Sequence, residues 1–200
     1  RIVYFFAADV FLSDDLFEVV EYATDIGLRV HMTINAFTVT EETARALMAT
    51  GISSVHLSLD MLGDGLDDVR GISDASATVL RSLGYLGRHN RHGTELGITA
   101  TIMKYTLPSI RTIVDFAIAN NLTVYFNLIN FTHHFFQTAF SRDQYHLSRD
   151  ERKELSDLVQ WLTEKQREYP GLLPRRAHLE WIDAYFDNFR TPWPPCYQTL

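Results

Sequence analysis

A chain of 200 residues suits one domain, or one and a fraction, and a composition 46% hydrophobic and 22% charged is that of a globular protein with a full core, not of a disordered chain. The net charge of -7 speaks against a nucleic-acid surface, which needs a basic stripe, and no uninterrupted apolar run is long enough to span a bilayer. One cysteine excludes an internal disulfide and any all-cysteine metal or iron–sulfur site built from this chain alone, and with no signal peptide visible a cytoplasmic setting is expected.

In chain order, Ile2 to Phe6 reads as a buried strand with Ala7-Ala8-Asp9 at its exit. Ser13 or Asp14 is the expected cap of a helix to about Ile26, with Leu16, Val19, Val20 and Ala23 on one face. Leu28 to Thr33 is the next strand, leaving through Ile34-Asn35-Ala36. Thr40 should cap a helix running to Gly51, with Glu41 and Glu42 in the first turn, where the helix dipole favours acids. Val55 to Asp60 alternates apolar Val55, Leu57 and Leu59 with His56, Ser58 and Asp60, a strand pattern, and a Gly- and Asp-rich loop follows to Arg70-Gly71. Ser73 or Asp74 opens a helix to about His89, and Leu96 to Met103 is a strand with Lys104 at its exit. Pro108 suits the first turn of a helix to Ala119, Asn120-Asn121 a left-handed end, and Leu122 to Ile129 a fifth strand. Strands alternating with helices over short links indicate an α/β fold with a parallel sheet. The pattern then changes. Residues 130–146 are a long aromatic segment containing His133 and His134. Ser148 should cap a polar helix from Arg149 to about Tyr169, a further helix covers Ala177 to Phe189, and Thr191 to Cys196 is extended and rigid.

In a βα barrel the active site forms at the carboxyl ends of the strands and in the loops that follow. Those positions hold Ala8 and Asp9, Asn35, Ser58 and Asp60, Thr101 and Lys104, and Asn127 and Asn130. Ser58 and Asp60 are the first residues to place in a site, although Ser and Asp also open turns. The set has no nucleophile–base pair, no Gly-rich phosphate loop and no metal-spaced His/Glu helix, which points to an organic cofactor that the protein orients. His133 and His134 either line a substrate cavity, where imidazole can move a proton near neutral pH, or pack within the aromatic loop.

From about Ile2 to Ile129 the chain resembles the radical S-adenosylmethionine (SAM) enzymes, segment by segment and in the family's order. Phe6 to Leu12, FAADVFL, lies where that family has a strand followed by GGEPLL. Gly27 to Ala36 with Leu47 looks like its "GL.v...TNG...L" segment, and Gly51 to Asp60 with Arg70-Gly71 is similar to "GI..v.iSLDG...RG". The resemblance implies a partial (β/α)6, TIM-like barrel of parallel strands followed by C-terminal helices. It divides the chain into a barrel without its first βα unit over 1–130, a final barrel helix and helical extension over 131–190, and the start of a truncated auxiliary-cluster domain over 191–200. It implies an iron–sulfur oxidoreductase that cleaves SAM reductively and abstracts a hydrogen from its substrate, a small molecule or a peptide, with flavodoxin or ferredoxin as electron donor. Asp9 and the Ala7 and Ala8 backbone would lie by the SAM amino group, Asn35 by its methionine part, and Ser58 and Asp60 by its carboxylate or ribose. Asn127 would border the adenine, Arg70 and Lys104 would meet anionic groups, and Lys104, His133 and His134 would face substrate. Pro195-Cys196-Tyr197 is similar to the segment that supplies a first ligand of an auxiliary cluster of the SPASM or twitch type.

The chain departs from that pattern in two places. The CxxxCxxC loop that holds the [4Fe–4S] cluster is not in these residues, and Ala7-Ala8-Asp9 replaces GGE, keeping a carboxylate but adding two methyls where backbone approaches the ligand. The missing initiator Met and the end just after a cysteine suggest a fragment of a longer protein. Two other readings stay open. One is a lyase or aldolase that uses Lys104 as a Schiff-base amine, and the other is a binding or scaffold domain that kept the barrel without its cluster.

Overall fold

A computed structural model of the chain describes residues 1–6, 10–128 and 147–187. Residues 1–99 make one compact unit, and the described residues from 100 onward make another. The first unit holds β1 (Ile2–Phe6), α1 (Leu16–Asp25), β2 (Arg29–Ile34), α2 (Glu41–Ala49), β3 (Ser54–Ser58), α3 (Gly65–Arg70) and α4 (Ala75–His89), and β4 (Glu95–Ile102) begins in it. The strands lie side by side in chain order, and each pair from β1 to β4 is parallel, with Val3 beside Val30, Met32 beside Val55 and Leu57 beside Ile98. Parallel strands need crossover connections, and the helices supply them.

The helices also decide which side chains are core. Val30, Met32, Ile34, Val55, Leu57 and Ile98 are at most 1% exposed, and Val20, Leu47, Met48 and Leu86 from the helices are equally buried. Full burial of such a side chain contributes roughly 1.5–3 kcal/mol. The alternate residues of the same strands are different in kind. Tyr4, His31, Thr33, Ser54, His56 and Glu95 share the opposite face.

The second unit contains α5 (Ile110–Ala119), β5 (Thr123–Leu128), α6 (Arg149–Glu168) and α7 (Arg176–Asp187), and the sheet order continues to β5. The α/β class read from the sequence is therefore the class observed. Ile113, Val114, Ala117, Leu155, Leu162, Leu179 and Ile182 are fully buried. The Val124 N–H donates to the Leu172 carbonyl at 2.7 Å, and Asn121 takes the left-handed conformation expected after α5, at φ 53°.

Two caps work as their spacing predicts. Thr40 and Thr43 form a reciprocal capping box at α2, and Ser148 and Glu151 form another at α6. Two do not. Neither Ser13 nor Asp14 caps α1; a short turn over Val10–Leu12 leads into it instead, and the residue at the cap position, Asp15, makes no side-chain cap bond. Asp74 lies at the start of α4 in the left-handed region, φ 57°, with its side chain unused as a cap. Pro108 sits in a single tight turn, Leu107–Ser109, just ahead of α5.

His178 of α7 places Nε2 3.3 Å from the Phe126 carbonyl of β5, and its ring lies 5.8 Å from that of Trp181. Burial pushes its pKa down, and the bond to Phe126 offsets part of that effect. A histidine whose folded pKa lies below its unfolded one gives stability that is complete above the unfolded pKa and is lost as pH falls through the folded one. Urea unfolding should therefore weaken from neutral pH toward pH 5 by more in the native protein than in His178→Gln, and matching slopes for the two would show that His178 does not titrate with unfolding.

Candidate functional site

Three of the expected site residues leave the strands of the first unit. Asn35 follows β2, is half-buried, and caps the short turn Ala36–Thr38, its Oδ1 accepting from the Phe37 N–H at 3.4 Å. That turn is tied to α4 by Ser82, whose buried hydroxyl donates to the Ala36 carbonyl at 3.1 Å. Ser58 ends β3 with its Cα opposite Thr99, and its side chain is half-buried. The Leu59 N–H then donates to the Thr99 carbonyl at 3.0 Å, which carries the pairing one residue past the strand. Asp60 follows and is only 3% exposed. A carboxylate this buried is unusual, since acids are rarely hidden without partners. Ser58 and Asp60 thus stand two residues apart at one strand exit, a hydroxyl and a buried carboxylate.

The loop after Asp60 is built to hold still. The Gly63 N–H donates to Ser76 Oγ of α4 at 3.1 Å. The Asp67 carbonyl accepts from Gly71 at 2.7 Å, closing α3, and Gly71 takes φ 64°, a left-handed end that suits glycine. The Asp67 carboxylate reaches the other way and accepts from the N–H groups of Asp74 at 2.8 Å and Ala75 at 2.9 Å. One residue therefore ends α3 and caps α4. Arg70 is the last residue of α3, and its side chain lies outside the described residues.

In the second unit, Thr106 is fully buried and fastens the exit of β4, accepting from the Met103 N–H at 3.1 Å and donating to the Thr101 carbonyl. Lys104 Nζ lies 3.5 Å from Glu151 Oε1, and its side chain is 37% exposed. The Ser148 N–H and hydroxyl hold the Glu151 carboxyl below the usual range, and the Lys104 ammonium adds to this. Asn127 is exposed on β5, on the same face as Tyr125. Ala7, Ala8, Asp9, His133, His134 and Cys196 lie outside the described residues.

Apart from Ser58, the polar face of β2 and β3 was not among the expected site residues. Its cue is the same alternation that marks the strands. Arg29, His31 and Thr33 share one face of β2, and Ser54, His56 and Ser58 share one face of β3. Among the described residues no group of three or more His, Cys, Asp or Glu could hold a metal ion. A [4Fe–4S] cluster needs cysteine thiolates, and this chain has one cysteine, so the residues present do not fit that cluster. They do fit SAM in kind, because Ser58 and Asp60 offer a hydroxyl and a carboxylate to its hydroxyl and ammonium groups.

No family model matches the chain. It is 32% identical over 113 residues to the AdoMet-dependent heme synthase of Nitratidesulfovibrio vulgaris, covering 56% of this chain and 30% of that protein. It is 30% identical over 116 residues to the Fe-coproporphyrin III synthase of Methanosarcina barkeri, covering 57% of this chain and 28% of that protein. The chain thus spans less than a third of the length of these curated relatives. Among solved structures it is similar to anSMEcpe with bound AdoMet and a peptide, at TM-score 0.62 and 12% identity, over 84% of this chain and 48% of that one. It is also similar to Streptococcus suis SuiB, at TM-score 0.63 and 17% identity, over 86% of this chain and 38% of that one. These two establish the partial-barrel α/β fold.

Asp67 generates the test of this geometry. Asp67→Ala removes both bonds to the start of α4 and should cost about 1–2 kcal/mol in chemical denaturation. Asp67→Asn, which keeps one acceptor, should cost less, and equal stabilities for all three proteins would show that the cap is not used in solution.

Proposed function

We propose that this chain, which carries the radical SAM core its sequence resembles, is the SAM-binding part of an enzyme that acts on an iron porphyrin. The observation behind the reading is the agreement over 113 residues with a protein named AdoMet-dependent heme synthase, supported by a second relative named for an iron porphyrin product. A peptide substrate is the weaker reading, because the peptide-bound anSMEcpe structure is 12% identical and shares the fold alone.

In this reading Ser58 and Asp60 hold the ribose or amino-acid end of SAM, Asn35 lies by its methionine part, and Ala7, Ala8 and Asp9 lie by its amino group. Asn127 borders the adenine, Arg70 meets an anionic group, and Lys104, His133 and His134 face the substrate. Bound SAM would supply hydrogen-abstraction chemistry in an enzyme that also holds a [4Fe–4S] cluster. The thiolates for that cluster are not in this chain, so this chain's own part is to bind and orient. Cys196 is assigned as a ligand of an auxiliary cluster, the electron donor as a flavodoxin or ferredoxin, and the setting as the cytoplasm. No helix among the described residues is long and apolar enough to cross a membrane.

The test uses the full-length protein of which this sequence is part, reconstituted anaerobically with iron and sulfide. SAM should bind in calorimetry and yield 5′-deoxyadenosine on reduction. Ser58→Ala and Asp60→Asn should each weaken SAM binding by roughly tenfold, as expected for a lost hydrogen bond to a charged group. A protein that takes up a cluster but neither binds nor cleaves SAM would overturn the reading.

A further inference from the structure

Parallel sheets covered on both faces are built from nearly continuous apolar strands. In β2–β4 only one row of side chains is apolar. The register sets Tyr4 beside His31, His31 beside Ser54 and Ser54 beside Glu95, and one step toward the carboxyl ends it sets Thr33 beside His56. Arg29 lies on the same face of β2 as His31, two residues earlier.

These groups do not cancel one another. Glu95 is already engaged, accepting from Ser54 Oγ at 3.5 Å and lying 3.5 Å from His56 Nε2. The excess lies with the donors. His31 Nε2 is shielded from water and has no hydrogen-bond partner among the described residues. Arg29 is exposed, and no described carboxylate pairs with it. The Tyr4 ring stacks on the His31 ring with centroids 5.1 Å apart, and Tyr4 is 39% exposed. The result is a pair of stacked rings, Tyr4 and His31, with donors beside it that lack acceptors among the described residues.

We propose that this face recognises the carboxylate side chains of a flat aromatic substrate, the iron porphyrin, with Arg29 and His31 as donors and the Tyr4–His31 pair as the stacking surface. The assignment rests on the porphyrin reading above. A carboxylate placed between Arg29 and His31 satisfies an orphaned polar atom and an unpaired cation together.

Binding is then linked to a proton. The groups facing His31 are Tyr4 from β1, Arg29 on its own strand, His56 from β3 and Glu95 from β4. Burial, then Arg29, pushes the imidazole pKa down; Glu95 acts against this, and His56 adds to it. A ligand carboxylate favours the protonated ring, so affinity rises as pH falls through the imidazole range.

Absorbance titration of the full-length protein with iron coproporphyrin III tests this from about pH 6 to pH 8. Saturable binding, tighter at the acid end, is expected. Arg29→Gln and His31→Gln should each weaken it by roughly tenfold, and His31→Gln should also flatten the pH dependence. The tetramethyl ester of the same porphyrin, its carboxylates masked, should fail to bind, which tests the carboxylate requirement without a mutation that could disturb folding. Absence of saturable binding to the native protein overturns the proposal, as do variants or an ester that bind like the native pair. Measuring SAM cleavage on the same preparation separates the two readings. Cleavage without porphyrin binding overturns this proposal together with the porphyrin reading and leaves SAM binding standing; porphyrin binding without cleavage refutes only the SAM reading; and porphyrin binding that the Arg29 and His31 variants leave unchanged refutes this proposal alone.

Discussion

The two faces of the strands constrain everything else. Side chains alternate across a strand, so one register puts Val30, Met32, Ile34, Val55 and Leu57 under the helices and leaves His31, Thr33, Ser54 and His56 on the other side. A slip of one residue in β2 would exchange those sets. It would drive Arg29 and His31 into the apolar layer, where an unpaired charge or polar ring costs several kcal/mol, and would strip the core of Val30, Met32 and Ile34. Both halves of the alternation therefore enforce the same pairing. Small hydroxyl bonds at the amino ends of the strands agree with it. The Val30 N–H meets Ser53 Oγ at 3.2 Å, and Thr94 Oγ1 donates to the Ile52 carbonyl at 2.8 Å.

With the register set, the strand exits are fixed in height, and the remaining freedom lies in the loops. Each described exit is restrained by short-range polar bonds. Asn35 closes the turn after β2, Asp67 ends one helix and begins the next, and Thr106 folds the β4 exit back on itself. A site assembled on such exits keeps its groups in place before a ligand arrives, and less ordering has to accompany binding. The Gly- and Asp-rich loop after β3 is held at Gly63, Asp67 and Gly71.

Features with a short sequence range were legible. The five strands, the caps at Thr40 and Ser148 and the left-handed Asn121 each depend on residues within a few positions of one another. Features set by distant partners were not. Helix α3 has six residues and no apolar period to reveal it. The cap of α4 comes from Asp67, seven residues before the cap position, so neither Ser73 nor Asp74 carries the signal. The burial of Asp60 follows from where β3 ends within the packed unit, and composition predicts the opposite for an acid. The site assignments of Ala7, Ala8, Asp9, His133, His134 and Cys196 fall outside the described residues, while Ser58, Asp60 and Asn35 sit at strand exits as the alternation required.

A wall with unpaired donors does more than attract the right ligand. A site built to hydrogen-bond a particular group rejects analogues that lack it, because its own buried polar atoms are then left unpaired. Among the described residues His31 Nε2 has no partner, so an uncharged planar molecule stacking on Tyr4 would gain aromatic contact and leave the imidazole and guanidinium unanswered. Glu95 strengthens the discrimination from the other side. It accepts from Ser54 and approaches His56, so this carboxylate already answers donors of the same face. Selectivity for acidic side chains thus arises from a local imbalance of donors over acceptors, on a chain whose net charge is -7 and whose overall field repels anions.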